Sequence, residues 1–364
     1  MLRLHPPGIS PGTPQSSGAF LADPLISLTD AGLYCPTGGF HIDPWEPVSR
    51  AVVTHAHADH ARWGCEKYLG ADLGRHLLRT RLGEAADITT VPHGAPVELN
   101  GVRVSFHPAG HVLGSAQVRV EHRGEVWVVT GDYKLDPDPT CLPFEPVRCH
   151  TLITESTFGL PIYRWDHPDV LFADVSAWWR ANRAAGKCSI VYAYSLGKAQ
   201  RVMAGVDADI GPIYTHGAVE KVTRAYRASG VELPPTVPAS EVAAARGKPK
   251  PWPGSLVIAP PSAAGSPWAR KFEPASEAVA SGWARVRGAR RRKAVDRGFV
   301  LSDHADWPGL LAAVRESGAA RVLATHGFAS VLARHLREQG LDAGVIATRF
   351  GDEEGTDPAE EATA

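Results

Sequence analysis

Three histidines and an aspartate occupy alternate and adjacent places in Thr54-His55-Ala56-His57-Ala58-Asp59-His60. Neutral imidazole nitrogen and carboxylate oxygen are the ligands that Zn²⁺ and Mn²⁺ prefer. The apolar run Ala51-Val52-Val53 just before them reads as a short buried strand that delivers the cluster onto a tight loop. His55 and His57 can reach one ion, while Asp59 and His60, opening the next helix, can reach a second. A polar loop that is merely rich in histidine is the other reading. Four ligands gathered behind a buried strand favour a metal site over it.

The same arrangement returns along the chain. Apolar runs lead to His111, to Asp132 in Thr130-Gly131-Asp132, to Glu155, to His304 in Ser302-Asp303-His304, and to His326 in Thr325-His326-Gly327. In layered α/β architectures strand ends converge on one rim, where ligands bind. The ligand count then closes. His55, His57 and His111 serve one ion, and Asp59, His60 and His326 serve the other. Asp132 bridges the pair, and each ion keeps a position open for a shared water or hydroxide. Asp43, after the run Phe40-His41-Ile42 and before Pro44, has two readings. It either caps an Asx turn or holds a metal-ligating imidazole in the correct tautomer.

To position these groups the sequence offers short strands and turns over 25–43, helical segments near 61–69 and 77–86, and a hairpin over 97–106 turning at Asn100-Gly101. Between 161 and 296 the texture changes. A helix over 170–185, a strand over 189–194, a helix near 197–203 and a strand over 211–215 suggest a separate βαβ unit. Ligands stand on both sides of this block, so it reads as an insertion into a metal-binding domain formed by 19–160 and 297–350. Residues 1–18 read as a flexible lead-in without a secretory h-region. Residues 351–364 carry six acids and no base, the composition of a disordered acidic tail.

Composition sets outer limits. The chain has 364 residues, 44% hydrophobic and 21% charged, as an ordinary globular protein does. No apolar run approaches the roughly 20 residues that cross a bilayer, so no membrane partner is expected. Five cysteines without CxxC spacing suit a reducing cytoplasm better than a disulfide framework. Cys35 and Cys65 read as small core residues or weak ligands. Outside the motifs the histidines are isolated. His216 repeats the Thr-His-Gly tripeptide mid-insertion and reads as structural or as a phosphate contact.

The ordered set His55-x-His57-x-Asp59-His60, His111, Asp132, Glu155, His304 and His326 resembles the metallo-β-lactamase fold and its β-CASP nuclease branch. Ser195-Leu196-Gly197-Lys198-Ala199-Gln200 resembles a helix start of the β-CASP domain. The resemblance covers roughly residues 19 to 350. Gly32-Leu33-Tyr34-Cys35-Pro36, Ile42-Asp43-Pro44-Trp45 and Ala259-Pro260-Pro261-Ser262 look like the bacterial DNA ligase-associated exonucleases, a subgroup similar to Artemis-type repair nucleases. The resemblance implies an α/β fold, a metallo-β-lactamase αββα sandwich with an inserted β-CASP α/β domain. It implies phosphodiester hydrolysis with two divalent metal ions, zinc or manganese, and functional association with a DNA ligase and a helicase. DNA-processing eukaryotic members tend to lack histidine at the last motif, whereas RNA-processing members carry it, and this chain has His326. The subgroup points to DNA and the motif to RNA.

For that chemistry two ions would activate a shared water and neutralise the phosphoryl oxygens, with Asp59 and Asp132 holding them. The leaving oxygen then needs a proton. His304 lies outside the ligand count, and an imidazole titrates near neutrality, so it is the candidate general acid. Glu155 would orient that ring. The plainer readings are a hydrogen-bonded core histidine for His304 and a helix-start carboxylate for Glu155. Nucleic acid also needs a basic track. Arg290, Arg291, Arg292 and Lys293 lie in a run that leads to His304, and such a run is either a solvated face or a phosphate track. Trp268, Arg270 and Lys271 can stack on and neutralise a single strand. Lys198, near a helix start, can hold a terminal phosphate. The leading expectation is a DNA exonuclease in repair, with a β-CASP-type RNA nuclease as its rival. A small-molecule metallohydrolase or a non-catalytic binding module would need neither the basic run nor His304.

Overall fold

Period-two burial builds the first domain. Ala116–His122 and Val102–Pro108 turn their valines and Phe106 to one side, and these pack against Phe40, Ile42, Val52 and Leu69 of a facing sheet. The computed structural model describes residues 24–243, 251–286 and 295–348. The expected lead-in, the acidic tail, and Arg290, Arg291, Arg292 and Lys293 of the basic run lie outside the described residues.

The first sheet runs Ser27–Thr29, Gly32–Cys35, Phe40–Ile42, Ala51–Val52, Tyr68–Ala71, Ile88–Val91. The second runs Asp342–Val345, Arg321–Thr325, Thr151–Glu155, Glu125–Val129, Ala116–His122, Val102–Pro108, Val97–Leu99. Helix Arg75–Leu82 covers the outer face of the first sheet, and helices Trp307–Ser317 and Ala329–Glu338 cover that of the second. The result is an αββα sandwich. The expected hairpin forms with Leu99 opposite Val102. Asn100 and Gly101 take φ of 51° and 79°, as a type I′ turn requires.

The insertion has its own sheet, wholly parallel, in the order Thr236–Pro238, Ile213–Thr215, Leu256–Ala259, Cys188–Tyr192, Ala275–Ala280, Arg297–Phe299. Phe172, Val175, Trp178 and Trp179 of helix Pro168–Ala184 close one face with Ala199, Val202 and Met203 of helix Lys198–Gly205. Pro168 starts the first of these helices where its missing N–H costs nothing. Among the described residues no helix is long and apolar enough to cross a membrane.

Three sequence expectations need correction. Residues 61–69 are not helical. Gly64 takes φ of 95°, and the Tyr68 hydroxyl accepts from the Cys65 amide and donates to the Arg62 carbonyl, fixing a loop that ends in a strand. Asp59 and His60 therefore sit in a turn rather than opening a helix. The strand before His304 is Arg297–Phe299, and it pairs with Ala275–Ala280 of the insertion's sheet instead of joining the sandwich. The candidate ligands thus do not share one sheet rim but come from two sheets, and His304 follows a strand of the third.

One glycine sets how closely these layers meet. Gly131 has φ of 56°, and a Cβ there would lie 2.7 Å from Thr54 Oγ1. Gly131→Ala is expected to lower stability by about 1–3 kcal/mol through left-handed strain and overpacking. Urea unfolding measures this, and an unchanged midpoint would refute the tight approach.

Candidate functional site

Four side chains converge first. His55 Nε2 and His111 Nε2 each lie 3.0 Å from His57 Nδ1, and Asp132 Oδ2 is 3.4 Å from His55 and 3.6 Å from His111. Their outer partners fix the tautomers. His57 Nε2 is 3.2 Å from the Leu196 carbonyl, and His111 Nδ1 is 2.6 Å from the Asp303 carbonyl. A carbonyl only accepts, so both outer nitrogens carry the proton. His55 Nδ1 faces Thr54 Oγ1 at 3.0 Å, and that hydroxyl gives its own proton to Asp43 Oδ2 at 2.6 Å. The inner nitrogens therefore present lone pairs to one another at hydrogen-bond distance. That arrangement is repulsive until a cation lies among them. This donor set, three nitrogens and a carboxylate within 4.8 Å of one another, fits a divalent metal.

The second group is looser. His60 Nε2 lies 3.4 Å from Asp132 Oδ2 and 3.5 Å from Asp59 Oδ2. The His326 ring stacks with that of His60 at 6.0 Å between centroids. Asp59 Oδ1 is buried with no hydrogen-bond partner among the described residues, an orphaned acceptor that a cation would satisfy. Asp43 holds His60 Nδ1 at 2.7 Å and also accepts from the Thr54 amide at 2.8 Å. Of its two sequence readings, the geometry matches the carboxylate that orients an imidazole. Asp43 does this with φ of 45°, and His326 stands at φ of 56°. Strain of this kind collects at functional sites.

Electrostatics set His60 apart from His55, His111 and His326, the last lowered by burial with His60 adding. Burial, with His60 adding, pushes His55 well below the ordinary histidine range, and burial with His304 does the same to His111. Burial would also lower His60, but Asp132, Asp59 and Asp43 overcome it and hold that ring well above. Burial would raise the Asp132 carboxyl, yet His60 and His304 keep it well below the usual carboxylate range. The site combines neutral imidazoles with a carboxylate-rich side that favours positive charge.

His304 stands over this centre, its ring 4.8 Å from that of His111. Its Nδ1 is 3.0 Å from both Glu155 oxygens. Glu155 in turn accepts from the Tyr133 amide and the Thr157 hydroxyl, so that with His304 three partners hold the carboxylate.

No family model matches the sequence. The chain is 34% identical over 318 residues to a probable DNA ligase of Opitutus terrae, covering 86% of this chain and 30% of that protein. It is 31% identical over 169 residues to the endoribonuclease YSH1 of Yarrowia lipolytica, covering 43% of this chain and 20% of that one. The chain belongs to the metallo-β-lactamase/β-CASP family. A solved structure of a protein of unknown function from Enterococcus faecalis V583 shares the fold, with TM-score 0.57, 10% identity, and coverage of 83% of this chain and 80% of that one. The chain spans less than a third of the length of these two curated relatives.

The β-CASP insertion is locked to the metallo-β-lactamase domain by buried charges that the sequence reading missed. Lys134 Nζ is 2.7 Å from Asp138 Oδ2 and donates to the His111 carbonyl at 3.2 Å. Arg201 of the insertion lies 3.4 Å from both Asp138 and Asp303, and donates to the Ser302 carbonyl. Lys198 corrects an expectation. Its buried ammonium lies 4.0 Å from Asp303 and 4.2 Å above the Tyr194 ring, so it does not present itself to a solvent-borne phosphate. The signal available in advance was that Lys198 and Arg201 sit on the same helix as apolar Ala199, Val202 and Met203. Trp268 lies on the insertion, on a loop before a short turn of helix. It is half-buried against Phe272 and His216, and His216 caps the helix Gly217–Ala228. Arg270 and Lys271 remain exposed on the adjoining turn, with Arg270 bonded to the Gly265 carbonyl. Cys35 and Cys65 are buried free thiols, and neither is among the clustered ligands.

Burial raises the Asp138 carboxyl, but Lys134 and Arg201 outweigh it and hold its pKa at about 2. The shift from an unfolded value of about 3.9 corresponds to roughly 2 kcal/mol, present above pH 4 and lost as pH falls toward 2. Asp138→Asn is expected to remove that acid-labile part. Unfolding free energies of wild type and variant should converge between about pH 4 and pH 2, and curves that stay parallel across this range would refute the assignment.

Proposed function

We propose that this chain is a metal-dependent nuclease that hydrolyses phosphodiester bonds, preferentially in DNA, and acts exonucleolytically in repair. The observation that carries the reading is the ring of His304, tied to Glu155, lying 4.8 Å from the ring of His111 in the metal-fitting cluster. His55, His57, His111 and Asp132 would hold one divalent ion, and Asp59, His60, His326 and Asp132 a second, zinc or manganese. Cations held there supply Lewis acidity toward a phosphodiester and a water.

The remaining work falls to the protein's own groups. Glu155 fixes Nδ1 of His304, so Nε2 is the nitrogen that presents a proton to the departing oxygen. The Leu196 carbonyl, supplied by the insertion, holds His57. The insertion therefore has a direct mechanical link to the centre. Preference for DNA, and functional association with a ligase, rest on the relative named a DNA ligase. An RNA nuclease is the second reading, favoured by the relative named an endoribonuclease and by His326.

Release of label from 5′- and 3′-end-labelled DNA, compared with RNA of matching sequence, tests the choice. Faster release from RNA would reverse it. Turnover of a lactam or thioester, with nucleic acid untouched, would overturn the nuclease reading itself. Asp132→Ala is expected to abolish cleavage with the circular dichroism spectrum retained. His304→Ala is expected to slow cleavage by about 10²-fold or more, the scale of general acid catalysis. Its metal content by mass spectrometry should match the wild type, and a full cleavage rate in this variant would remove its assigned role.

A further inference from the structure

Aromatic rings from three separate loops meet beside His304. Phe158, Tyr163 and Trp165 follow the strand that carries Glu155, Trp283 comes from the insertion, and Phe328 lies two residues after His326. Ring centroids are 4.9 Å apart for Phe158 and Tyr163, 4.8 Å for Phe158 and Trp165, and 4.7 Å for Phe158 and Trp283. Phe328 lies 6.0 Å from Tyr163 and 6.4 Å from Trp283. The cluster is tied to the catalytic loop, because Trp165 Nε1 donates to the His304 carbonyl at 2.9 Å and Phe158 lies 6.1 Å from the His304 ring.

Two features distinguish this cluster from ordinary core. Phe158 and Tyr163 are buried, but Trp165, Trp283 and Phe328 each keep part of their surface in solvent. A glycine admits the central ring: a Cβ at Gly282 would lie 2.5 Å from Phe158. Positive charge is also at hand, with Arg164 exposed between Tyr163 and Trp165, and Arg285 beside Trp283, where it pairs with Asp166 at 3.5 Å.

Every nucleobase has a π-face, and stacking it on an aromatic side chain needs no particular sequence. Bases inside a duplex are already stacked on one another and offer no free face. We infer that Trp283 and Phe328 form a stacking platform for an unpaired nucleobase next to the scissile phosphate, so that the substrate is engaged as a single strand. The position of that phosphate rests on the nuclease reading, but the stacking itself can be measured without cleavage.

The test uses the full chain with metals chelated. Fluorescence anisotropy follows binding of a labelled thymidylate hexamer, an abasic hexamer of equal charge, and a blunt hairpin duplex. The wild type should bind thymidylate about tenfold more tightly than the abasic strand, the scale of one stacked base, and more tightly than the duplex. Trp283→Leu and Phe328→Leu should each weaken thymidylate binding about five- to tenfold and leave abasic binding unchanged. Trp283→Phe should retain the wild-type preference. Equal affinity for thymidylate and abasic strands, a tighter grip on the duplex, or no binding of either strand by the wild-type protein would overturn the proposal without reference to any variant. Intact hydrolysis by the metal-loaded protein with equal affinities sinks the platform alone. Retained base preference with no hydrolysis by the metal-loaded protein sinks the nuclease reading alone.

Discussion

Imidazoles can surround one cation only when each turns its N–H outward to an acceptor. Here those acceptors are the Leu196 and Asp303 carbonyls and the Thr54 hydroxyl, while Asp43 accepts from His60 Nδ1. Two of these acceptors, Leu196 and Asp303, lie in or beside the insertion rather than on the loop that carries the histidines. The lone pairs facing one another at 3.0 Å are therefore a property of both domains assembled. Without the insertion His57 would lack the acceptor that fixes the tautomer a metal needs.

This dependence explains why the seam between the domains is charged instead of simply apolar. Lys134, Asp138, Arg201, Asp303 and Lys198 are buried together, and one of them, Asp303, also supplies the carbonyl that holds His111. Ion pairs of this kind cost desolvation and add little net stability, but breaking one leaves an uncompensated charge and is strongly unfavourable. Their effect is to fix one docking geometry. Apolar packing of Tyr226, Val222 and Ala225 against Leu77, Leu78 and Leu113 supplies the nonspecific part of the contact.

Much of the site was legible in the chain itself. The histidine-aspartate cluster, the residues delivered by later strands, and the pairing of Glu155 with His304 follow from residue type, apolar runs and the family resemblance. The hairpin at Asn100-Gly101 was equally plain, because a two-residue turn with positive φ leaves few alternatives. The segment after His60 was misread because its apolar spacing suits a helix, while a single tyrosine hydroxyl, Tyr68, ties it into a loop.

The sequence by itself determined which side chains carry metal-ligand chemistry and that a separate unit interrupts them. Only the tertiary structure decided that these side chains come from two sheets, that Lys198 is sequestered by Asp303, and that Phe158 and Trp165 pack beside His304. The physical reason is range. Ligand type and turn conformation are local properties of a few consecutive residues, whereas burial of a charge or exposure of a ring depends on what another part of the chain brings against it.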